Sequence, residues 1–498
     1  MINLKNIGSP KEFWIYFLEI CKIPRCSGKE GQIRDFIKKK ASNFKFECKS
    51  DIGGNLAVKI PSEYYNKNST KVIFQCHMDM VCEKDKDREH DFLKDPIQLE
   101  IITNKRNNWI KGKGTTLGAD NGVGIAYCLT LMDRIYNNKI NIQHLSIEFL
   151  FTVQEESGLS GVFNIKKEFI DGNYLINLDS EEDDRFTIGC AGGINTIGVL
   201  DIDFKNINTI NLKLKPIKIS ITGLIGGHSG IDINKKRGNS IKIISKILWK
   251  LNNRYGIFLS SILGGNLSNA IPREAEADFF MDENQEEDII SLLEKIKLEI
   301  ELGIGHKEKN LKIEYRELED FKNKRIIPKH ISNNILNLLY IMPNGVISVH
   351  PKNQELIHTS TNLASIKIEG KALRIITSQR SLYDISKENI SEKIEALFKS
   401  ANFNINRHGD YPGWTPNFQS RLLKIAKKSY KELFKEEAIV QSIHAGLETG
   451  ILKESFPNMD MISLGPLIVG GHSPNERLHI KSVEKIWRLI LAILDNFR

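Results

Sequence analysis

The segment LSIEFLFTV at residues 145–153, followed at once by Glu155 and Glu156, decides the fold. Its apolar residues run almost without interruption, which is typical of a strand buried on both faces rather than of a strand with one solvated face. KVIFQC (71–76) and YLINLD (174–179) have the same character, and helical patterns occur in the same region, at 10–21, at 29–43 and after Asp120. Strands of this kind joined through helices form a largely parallel sheet, so this part of the chain predicts an α/β fold.

The pattern changes near residue 193, where short strands and amphipathic helices begin to alternate in α+β order. A continuous apolar pattern returns late in the chain, in MDMISLGPLIVGG (459–471). The 498 residues also exceed the roughly 250–300 residues that one hydrophobic core supports. The predicted organisation is a catalytic domain formed by residues 1–192 and 408–498, with a smaller α+β domain inserted at 193–407.

The composition excludes several classes of protein. With 41% hydrophobic and 27% charged residues, the chain is expected to fold rather than to remain disordered. The net charge of +8 is spread over 70 basic and 62 acidic residues, which favours a solvated surface over a nucleic-acid-binding stripe. No apolar run reaches the roughly 20 residues that span a bilayer, so we expect no membrane partner.

The seven cysteines include no Cys-x-x-Cys pair. An odd number of cysteines without that spacing argues against a disulfide framework and against a cysteine-rich zinc site. The N-terminal sequence also lacks the order of basic, apolar and small residues that marks a secretory signal. We therefore expect a protein of the reducing cytoplasm.

Five separate segments share one pattern, in which an apolar run ends and a histidine or carboxylate follows at once, with glycine or a small residue nearby. They are QCHMDM (75–80), LGADNGVG (117–124), VQEESGLSG (153–161), INLDSEE (176–182) and IVGGHSPNE (468–476). Each has an ordinary interpretation by itself, such as a helix N-cap for Asp120, an acidic turn after Asp179 or a glycine-rich turn around His472. Functional groups collect at the carboxyl ends of strands in open α/β sheets, so the five together favour one site.

The residue types at these strand ends indicate metal chemistry. His77 and Asp79 lie two residues apart, so an extended backbone turns both to one side, where one can bind a metal while the other orients the imidazole. Glu155 and Glu156 diverge, so one can bind metal while the other acts as a general base. Imidazole and carboxylate ligands suit Zn²⁺, with Mn²⁺ or Co²⁺ as substitutes. Three carboxylates and a bridging hydroxide would nearly neutralise two Zn²⁺ ions.

The sequence resembles the co-catalytic di-zinc metallopeptidases, a family that includes carboxypeptidase G, aminoacylases and cytosolic dipeptidases. The resemblance covers nearly the whole chain and preserves the order and spacing of the motifs. They are CHMDMV (76–81), GADNGVGIA (118–126), EESGLSG (155–161), NLDSEE (177–182), GLIGGHSG (223–230), GGNLSNAIPREAEA (264–277), HAGLETG (444–450) and SLGPLIVGGHSPNERLHI (463–480). This resemblance implies a di-zinc aminopeptidase-like α/β domain with a mostly parallel central sheet, plus an inserted α+β lid domain.

The resemblance also implies a role for each site residue. Asp120 would bridge two Zn²⁺ ions and would be presented by a cis peptide bond to Asn121. The remaining metal ligands would be His77 with Asp179 for one ion, and Glu156 with His472 for the other. Glu155 would be the general base and Asp79 the carboxylate that orients His77. The implied contacts to substrate, from the inserted domain, are His228, Asn266, Asn269 and Arg380.

The implied activity is hydrolysis of the peptide bond of small dipeptides, Xaa-His among them, by a zinc-activated water. An N-acyl amino acid deacylase on the same scaffold is the alternative, since the fold alone does not set the substrate. A non-catalytic metal-binding relative is disfavoured, because Glu155 and the full ligand set are present. Whether the inserted domain forms a homodimer stays open at this point.

Overall fold

The computed structural model describes residues 7–104, 107–319, 324–351 and 353–497. The chain divides into two compact units. The first unit comprises the described residues of Met1–Cys190, Trp414–Ser442 and Leu447–Arg498, and the second comprises those of Ala191–Gly413 and Ile443–Gly446.

The helices of the described residues are distributed over both units. In chain order the α-helices are α1 (Lys11–Ile20), α2 (Gly31–Asn43), α3 (Ala119–Tyr136), α4 (Ser240–Tyr255), α5 (Glu286–Ile304), α6 (Lys329–Ile341), α7 (Asp384–Ser400), α8 (Arg421–Phe434), α9 (Glu448–Ser455) and α10 (Ile480–Asp495). Short 3₁₀ helices are formed by Ser62–Tyr64, Val162–Asn164, Ile207–Thr209, Ile233–Lys235 and Glu283–Gln285.

The strands also follow the division into units. The first run of the chain contributes β1 (Glu47–Ser50), β2 (Leu56–Lys59), β3 (Thr70–His77), β4 (Leu99–Asn104), β5 (Asn107–Gly112), β6 (Leu145–Thr152), β7 (Tyr174–Asn177) and β8 (Arg185–Cys190). The second unit contains β9 (Gly192–Asp201), β10 (Lys205–Asn206), β11 (Leu214–Thr222), β12 (Gly227–His228), β13 (Phe258–Gly264), β14 (Ala270–Ile271), β15 (Ala275–Asp282), β16 (Lys312–Glu317), β17 (Arg325–Ile326), β18 (Gly345–His350), β19 (Asn353–Glu369), β20 (Ala372–Ser381) and β21 (Asn404–Tyr411). The last strands are β22 (Ile439–Ile443), β23 (Asp460–Ser463), β24 (Ile468–Val469) and β25 (Arg477–His479).

The central sheet of the first unit has the order β1-β2-β6-β3-β7-β23-β8-β22. Its centre is parallel, since β3 pairs in parallel with β6 and β7, and β7 with β23. Every residue of β6 is buried, as the continuous apolar run predicts. The expectation of a mostly parallel sheet holds only at this centre. The margins are antiparallel, because β1 and β2 form a hairpin and β8 runs against β23.

Aromatic packing on one face of the sheet fixes α3, the helix that begins near Asp120. The ring of Tyr127 on α3 lies 4.6 Å from that of Phe13 on α1 and stacks at 6.5 Å on that of Trp487 on α10. Phe13 is fully buried, so its replacement by alanine is expected to cost about 3–5 kcal/mol. The core therefore anchors the helix whose first turn belongs to the site described below.

The second unit is built on one antiparallel sheet, with the order β16-β11-β15-β13-β19-β20-β9-β21 and with β18 added beside β19. The pattern of strands and helices in this region repeats, once over 217–318 and again over 331–400, so the sequence suggests two successive α+β units here. The structure instead joins them into a single sheet through the pairing of β13 with β19, where Gly264 lies opposite Ile366. A contact between strands this far apart in sequence leaves no local signal.

The boundaries of the second unit differ from the predicted 193–407. The unit begins at Ala191 and continues to Gly413, because β9 pairs with β20 from Gly192 onward and Tyr411 of β21 lies opposite Gly193. The four residues Ile443–Gly446, which come later in the chain, also belong to this unit. No change in composition marks them in the sequence.

The expectation of no disulfide framework needs one correction. Cys26 and Cys82 form a disulfide, with 5.7 Å between their Cα atoms. They are 56 residues apart, and a backbone bridge between Cys26 and Met80 brings their segments together, so spacing along the sequence could not reveal the pair. Elsewhere in the described residues the cysteines are free. None of the described helices is both long enough and apolar enough to cross a bilayer.

Candidate metal centre

Asp120 lies between two imidazoles in the first unit. Its Oδ1 is 2.9 Å from His77 Nε2, and its Oδ2 is 3.1 Å from His472 Nε2. Each imidazole also faces a second carboxylate. His77 Nε2 lies 3.2 Å from Asp179 Oδ1. His472 Nε2 lies 3.0 Å from Glu156 Oε2. The five side chains therefore form two imidazole–carboxylate pairs that share Asp120.

The carboxyl edge of the central sheet brings three of these segments together. β3 ends at His77, which lies opposite Thr152 at the end of β6, and β7 ends two residues before Asp179. Parallel strands that end at the same edge place the residues that follow them side by side. The strand ends identified in the sequence thus meet in space because the centre of the sheet is parallel.

Asp79 holds both His77 and the turn that carries the two glutamates. The Nδ1 of His77 lies 3.4 Å from Asp79 Oδ1. The backbone N–H groups of Glu155 and Glu156 donate to Asp79 Oδ1 and Oδ2 at 3.1 and 3.2 Å, and the Ser27 hydroxyl donates to Oδ2 at 2.7 Å. Burial favours a neutral Asp79, but the hydrogen bonds lower its pKa. Asp79 therefore engages Nδ1 of His77 and leaves Nε2 for a ligand.

Two residues of the site have left-handed backbone conformations that non-glycine residues rarely adopt. Gln154, directly before Glu155, has φ +55°, and His472 has φ +60°. Such a conformation costs on the order of 1–3 kcal/mol and is concentrated at functional sites. His472 also stays 55% exposed, so neither packing nor burial accounts for its position.

The first turn of α3 links Asp120 to Asp179. The Asp120–Asn121 peptide bond is cis, which confirms the conformation that the family resemblance implies. The Asn121 side chain donates a hydrogen bond of 2.5 Å to Asp179 Oδ1 and accepts one of 3.0 Å from the N–H of Gly124. Asn121 thereby holds a carboxylate on a different strand end.

The carboxylates strongly favour protons on the two imidazoles. Hydrogen bonds with Asp120 and Glu156 raise the pKa of His472 to about 11. Burial disfavours the charged form of His77, yet the charges and hydrogen bonds of Asp179 and Asp120 raise its pKa well above the usual value. Burial also raises the pKa of Glu156 and of Asp179. The carboxylates of the site therefore carry an excess of negative charge, which a positive charge must offset.

These groups fit a metal ion. His77, Asp120 and Glu156 offer ligand atoms that all lie within 4.8 Å of one another. The Oε1 of Glu156 is buried and has no hydrogen-bond partner among the described residues, which is costly for a carboxylate oxygen. A divalent cation would supply the missing partner and the positive charge, while leaving the imidazoles neutral as metal ligands must be.

The profile of one peptidase family matches residues 73–496 of the chain. The chain belongs to peptidase family M20/M25/M40. As a member of this metal-dependent family, the protein is a hydrolase of the metallopeptidase type. The match spans every candidate metal ligand, from His77 to His472.

Two relatives of this M20 peptidase cover almost its full length. The chain is 34% identical over 488 residues to the cytosol non-specific dipeptidase of Escherichia coli (strain K12), covering 98% of each chain. It is 32% identical to the aminoacylhistidine dipeptidase of Vibrio alginolyticus, whose crystal structure superposes with a TM-score of 0.85 and covers 99% of this chain and 98% of that one. These likenesses confirm the predicted family fold.

A more distant solved structure shares the fold alone. Aminopeptidase PepT of Bacillus cereus is 16% identical and superposes with a TM-score of 0.56, covering 100% of this chain and 99% of that one.

In the second unit of the M20 peptidase, His228 lies on β12, directly beside the segment that contains Asn269. His228 pairs with Ala270 in the β12–β14 ladder, and the N–H of Ser229 donates to the Asn269 carbonyl at 2.8 Å. The Nδ1 of His228 accepts hydrogen bonds from the N–H groups of Gly230 and Ile231, at 3.2 and 3.1 Å. The proton of the neutral imidazole therefore resides on Nε2.

The asparagine side chains of this segment, Asn266 and Asn269, are both exposed. Arg380, by contrast, is buried within the second unit, on β20. Its Nη1 donates to the Tyr411 hydroxyl at 2.7 Å, and its Nε has no hydrogen-bond partner in the described part of the chain. A buried guanidinium with an unused donor can bind an anion.

Several side chains that support the M20 site have no role predicted from the sequence, although some of them lie within the quoted motifs, as Glu448 does in HAGLETG (444–450). Glu448, fully buried, accepts hydrogen bonds from the side chains of Gln75 at 2.6 Å and Thr152 at 2.7 Å, below the strand ends. Burial raises the pKa of Glu448 to about 8, so it is mainly protonated at neutral pH. The side-chain contacts of Asn121, Ser27, Arg25 and Glu476 could likewise not be predicted, because each joins residues distant in the chain.

Proposed function

We propose that this M20 peptidase is a dipeptidase with two Zn²⁺ ions in the centre around Asp120. The observation that carries the proposal is the arrangement of two imidazole–carboxylate pairs about one aspartate, with each Asp120 oxygen within 3.1 Å of a different imidazole. A single ion would leave one pair without a function. The names of the Escherichia coli and Vibrio alginolyticus relatives support dipeptides as the substrate class.

The ligand sets follow from the pairs. His77 and Asp179 would hold one ion, His472 and Glu156 the other, and Asp120 both. When bound, such ions polarise a carbonyl oxygen and lower the pKa of water toward about 7. Zinc is the metal most often held by imidazole and carboxylate ligands, and Mn²⁺ or Co²⁺ could replace it.

Glu155 is proposed as the general base. Its backbone N–H is fixed by Asp79, next to the ligand Glu156, and burial raises its pKa well above the ordinary value. A carboxylate with a raised pKa accepts a proton from water more readily and can return it to the leaving amine. In this role Glu155 removes a proton from the attacking water and then protonates the amine that departs.

His228 and Arg380 are proposed as substrate contacts, with Asn266 and Asn269 as further polar contacts. An Nε2–H donor on His228 suits the oxygen that becomes negative when water adds to the peptide carbonyl. The unused guanidinium donor of Arg380 suits the C-terminal carboxylate of a dipeptide. Residues 193–407 would then act as a substrate-binding domain.

A cytoplasmic location is also proposed, supported by the name of the Escherichia coli relative. Light scattering on the purified protein would test whether two copies of the chain form a homodimer.

The test is a substrate panel run on protein whose zinc content is measured. Dipeptides, β-alanyl-histidine included, are expected to be hydrolysed in proportion to bound zinc, and N-acetyl amino acids far more slowly. Preference for the N-acetyl amino acids would establish the deacylase alternative. Protein loaded with zinc that cleaves neither class would contradict the proposed activity.

A further inference from the structure

A buried carboxylate outside the proposed ligand set binds the backbone around Asp120. Glu476 is only 2% exposed. Its Oε2 accepts hydrogen bonds from the N–H groups of Leu117 and Gly118, at 2.8 and 2.9 Å. Its Oε1 accepts from those of Ala119 and Asp120, at 2.7 and 3.2 Å. Four consecutive backbone donors thus converge on one side chain.

The position of Glu476 in the chain links its contact with the Asp120 backbone to His472. It lies four residues after His472, in the same loop. A movement of that loop therefore acts on two proposed ligands at once, His472 through the chain and Asp120 through its N–H. The carboxylate is the only group type that offers enough lone pairs to accept from four donors.

A buried arginine binds backbone carbonyl groups in the same region, whereas Glu476 binds N–H groups. Arg25, also 2% exposed, donates through Nη1 to the carbonyls of Met78 at 3.1 Å and Asp79 at 2.8 Å. Its Nη2 donates to the carbonyl of Gly118. The guanidinium therefore connects the segment after His77 with the segment before Asp120.

Two glycines make room for this guanidinium. A Cβ added to Gly118 would lie 2.5 Å from Arg25 Nη2, and one added to Gly122 would lie 2.8 Å from it. Gly118 also has φ +68°, a conformation that favours glycine. The chain around Asp120 is thus shaped to receive Arg25 as well as Glu476.

Two buried charges in such a place require an explanation, since burying a charge is costly unless hydrogen bonds compensate it. The two side chains bind backbone groups of the segments that carry His77 and Asp120, and Glu476 itself belongs to the segment that carries His472. Neither side chain is a proposed ligand. We propose that Glu476 and Arg25 are positioning residues that set the spacing of these three ligands and thereby the metal affinity. This inference rests on the proposed metal centre.

Glu476→Gln is the most informative change. The amide keeps the size of the side chain, but its NH₂ group cannot accept a hydrogen bond, so two of the four N–H groups lose their acceptor and face a donor instead. The loop of Asp120 would shift to relieve this. Loss of a group that supports metal ligands typically weakens metal binding by about 10–100-fold, and we expect a decrease of this size.

Glu308→Gln is the matched control. Glu308 is 1% exposed and also accepts backbone hydrogen bonds, from Ile225 and Gly238 at 2.8 Å each, but it lies in the second unit. The zinc dissociation constants of wild type and both variants are measured by competition with a chelator, beside the melting temperatures of the metal-free proteins. Dipeptide kinetics of Glu476→Gln are then recorded at increasing zinc.

The expected result is a zinc dissociation constant at least about 10-fold higher for Glu476→Gln than for Glu308→Gln, with kcat partly restored by excess zinc. Equal zinc dissociation constants in the two variants would overturn the proposal and leave Glu476 a structural cap, even if both melt at lower temperature. Arg25→Lys provides a second variant, since lysine keeps the charge and loses the fork that reaches three carbonyls. If Glu476→Gln does not fold, Arg25→Lys with unchanged zinc affinity overturns the proposal. Wild type that binds no zinc would refute the metal centre itself, a result distinct from either.

Discussion

The pKa values of two histidines, one in each unit, are shifted in opposite directions. This contrast shows how the surroundings of the two residues differ. In the first unit, carboxylates around His472 raise its pKa to about 11. In the second unit, burial and then the charge of Arg380 lower the pKa of His444 to about 3. The first region therefore gathers negative charge, whereas the second buries a neutral imidazole near the positive charge of Arg380. Physically, the first is suited to cations and the second to an anion.

The proposed function gives each unit a separate role. Metal ions would assist hydrolysis of the peptide bond, and a cationic group would bind a terminal carboxylate. Each prediction below tests one side of this contrast.

Removing the proposed base should have the largest effect on the cation-binding side. Glu155→Gln keeps the volume but cannot accept a proton at neutral pH, so kcat is expected to fall by about 10²–10⁴-fold. Bound zinc, measured by elemental analysis, should be unchanged. The neighbouring Glu156→Gln is the control, and it should lose metal, with activity partly restored by added zinc. If Glu155→Gln loses metal but stays active per bound zinc, the two roles are reversed.

Removing the cation of the second unit should affect substrates that end in a free carboxylate. Hydrogen bonds to charged groups contribute about 1.5–3 kcal/mol, so Arg380→Met should lower kcat/KM for a dipeptide by roughly 10–150-fold. The dipeptide amide, which lacks the carboxylate, should lose far less. Arg374→Met is the control, because Arg374 is exposed on the same strand β20. Equal losses for dipeptide and amide would exclude carboxylate recognition by Arg380.

Replacing Asp79 should weaken metal binding, although Asp79 is not a proposed ligand. In Asp79→Asn one acceptor oxygen becomes a donor, so the contacts to His77 Nδ1 and to the glutamate turn cannot all persist. Zinc affinity is expected to drop by about 10–100-fold. Asp51→Asn, which removes a carboxylate that caps Asn55 in the same unit, should leave zinc affinity unchanged. Wild-type zinc affinity in Asp79→Asn would contradict the orienting role.

The stability of the folded protein should depend on pH through His444, which belongs to the second unit. His444 stays neutral in the folded protein down to about pH 3, whereas the unfolded chain takes up the proton near pH 6.5. Between these values the unfolded state binds more protons, so stability falls as the pH is lowered, by at most about 1.4 kcal/mol per pH unit. Urea unfolding of His444→Gln at pH 7 and pH 5 should show a smaller decrease than wild type.

His306→Gln, an exposed position, is the control for this measurement and should retain the wild-type decrease. If His444→Gln and wild type lose stability equally between pH 7 and pH 5, His444 is not held neutral by its surroundings.

The sequence predicts the centre of the catalytic fold closely, because buried parallel strands are continuous apolar runs. The predicted strands at 71–76 and 145–153 correspond to Thr70–His77 and Leu145–Thr152. The candidate ligands His77 and Glu156 were identifiable for the same reason, since each lies at or just after the end of one of these strands. Asp120 was identified from the LGADNGVG motif at the start of α3, and the structure places its side chain 2.9 Å from that of His77.

The supporting contacts could not be predicted, because they join side chains to backbone groups far along the chain. Arg25 binds a carbonyl 93 residues away, and Glu476 binds an N–H 359 residues away. Backbone groups carry no residue-specific signal, so the sequence does not show these contacts, even though Glu476 lies in the IVGGHSPNE motif. The pairing of β13 with β19 and the Cys26–Cys82 disulfide escaped prediction because they too join residues far apart in the chain.

The number of zinc ions bound per chain tests the central claim most directly. Metal-free protein is titrated with Zn²⁺ by calorimetry, with the same titration on Asp120→Ala. The account predicts two high-affinity zinc ions in the wild type and the loss of high-affinity binding at both sites in Asp120→Ala, because Asp120 contacts both imidazoles. A wild type that binds fewer than two zinc ions, or an Asp120→Ala variant that keeps both, would contradict it.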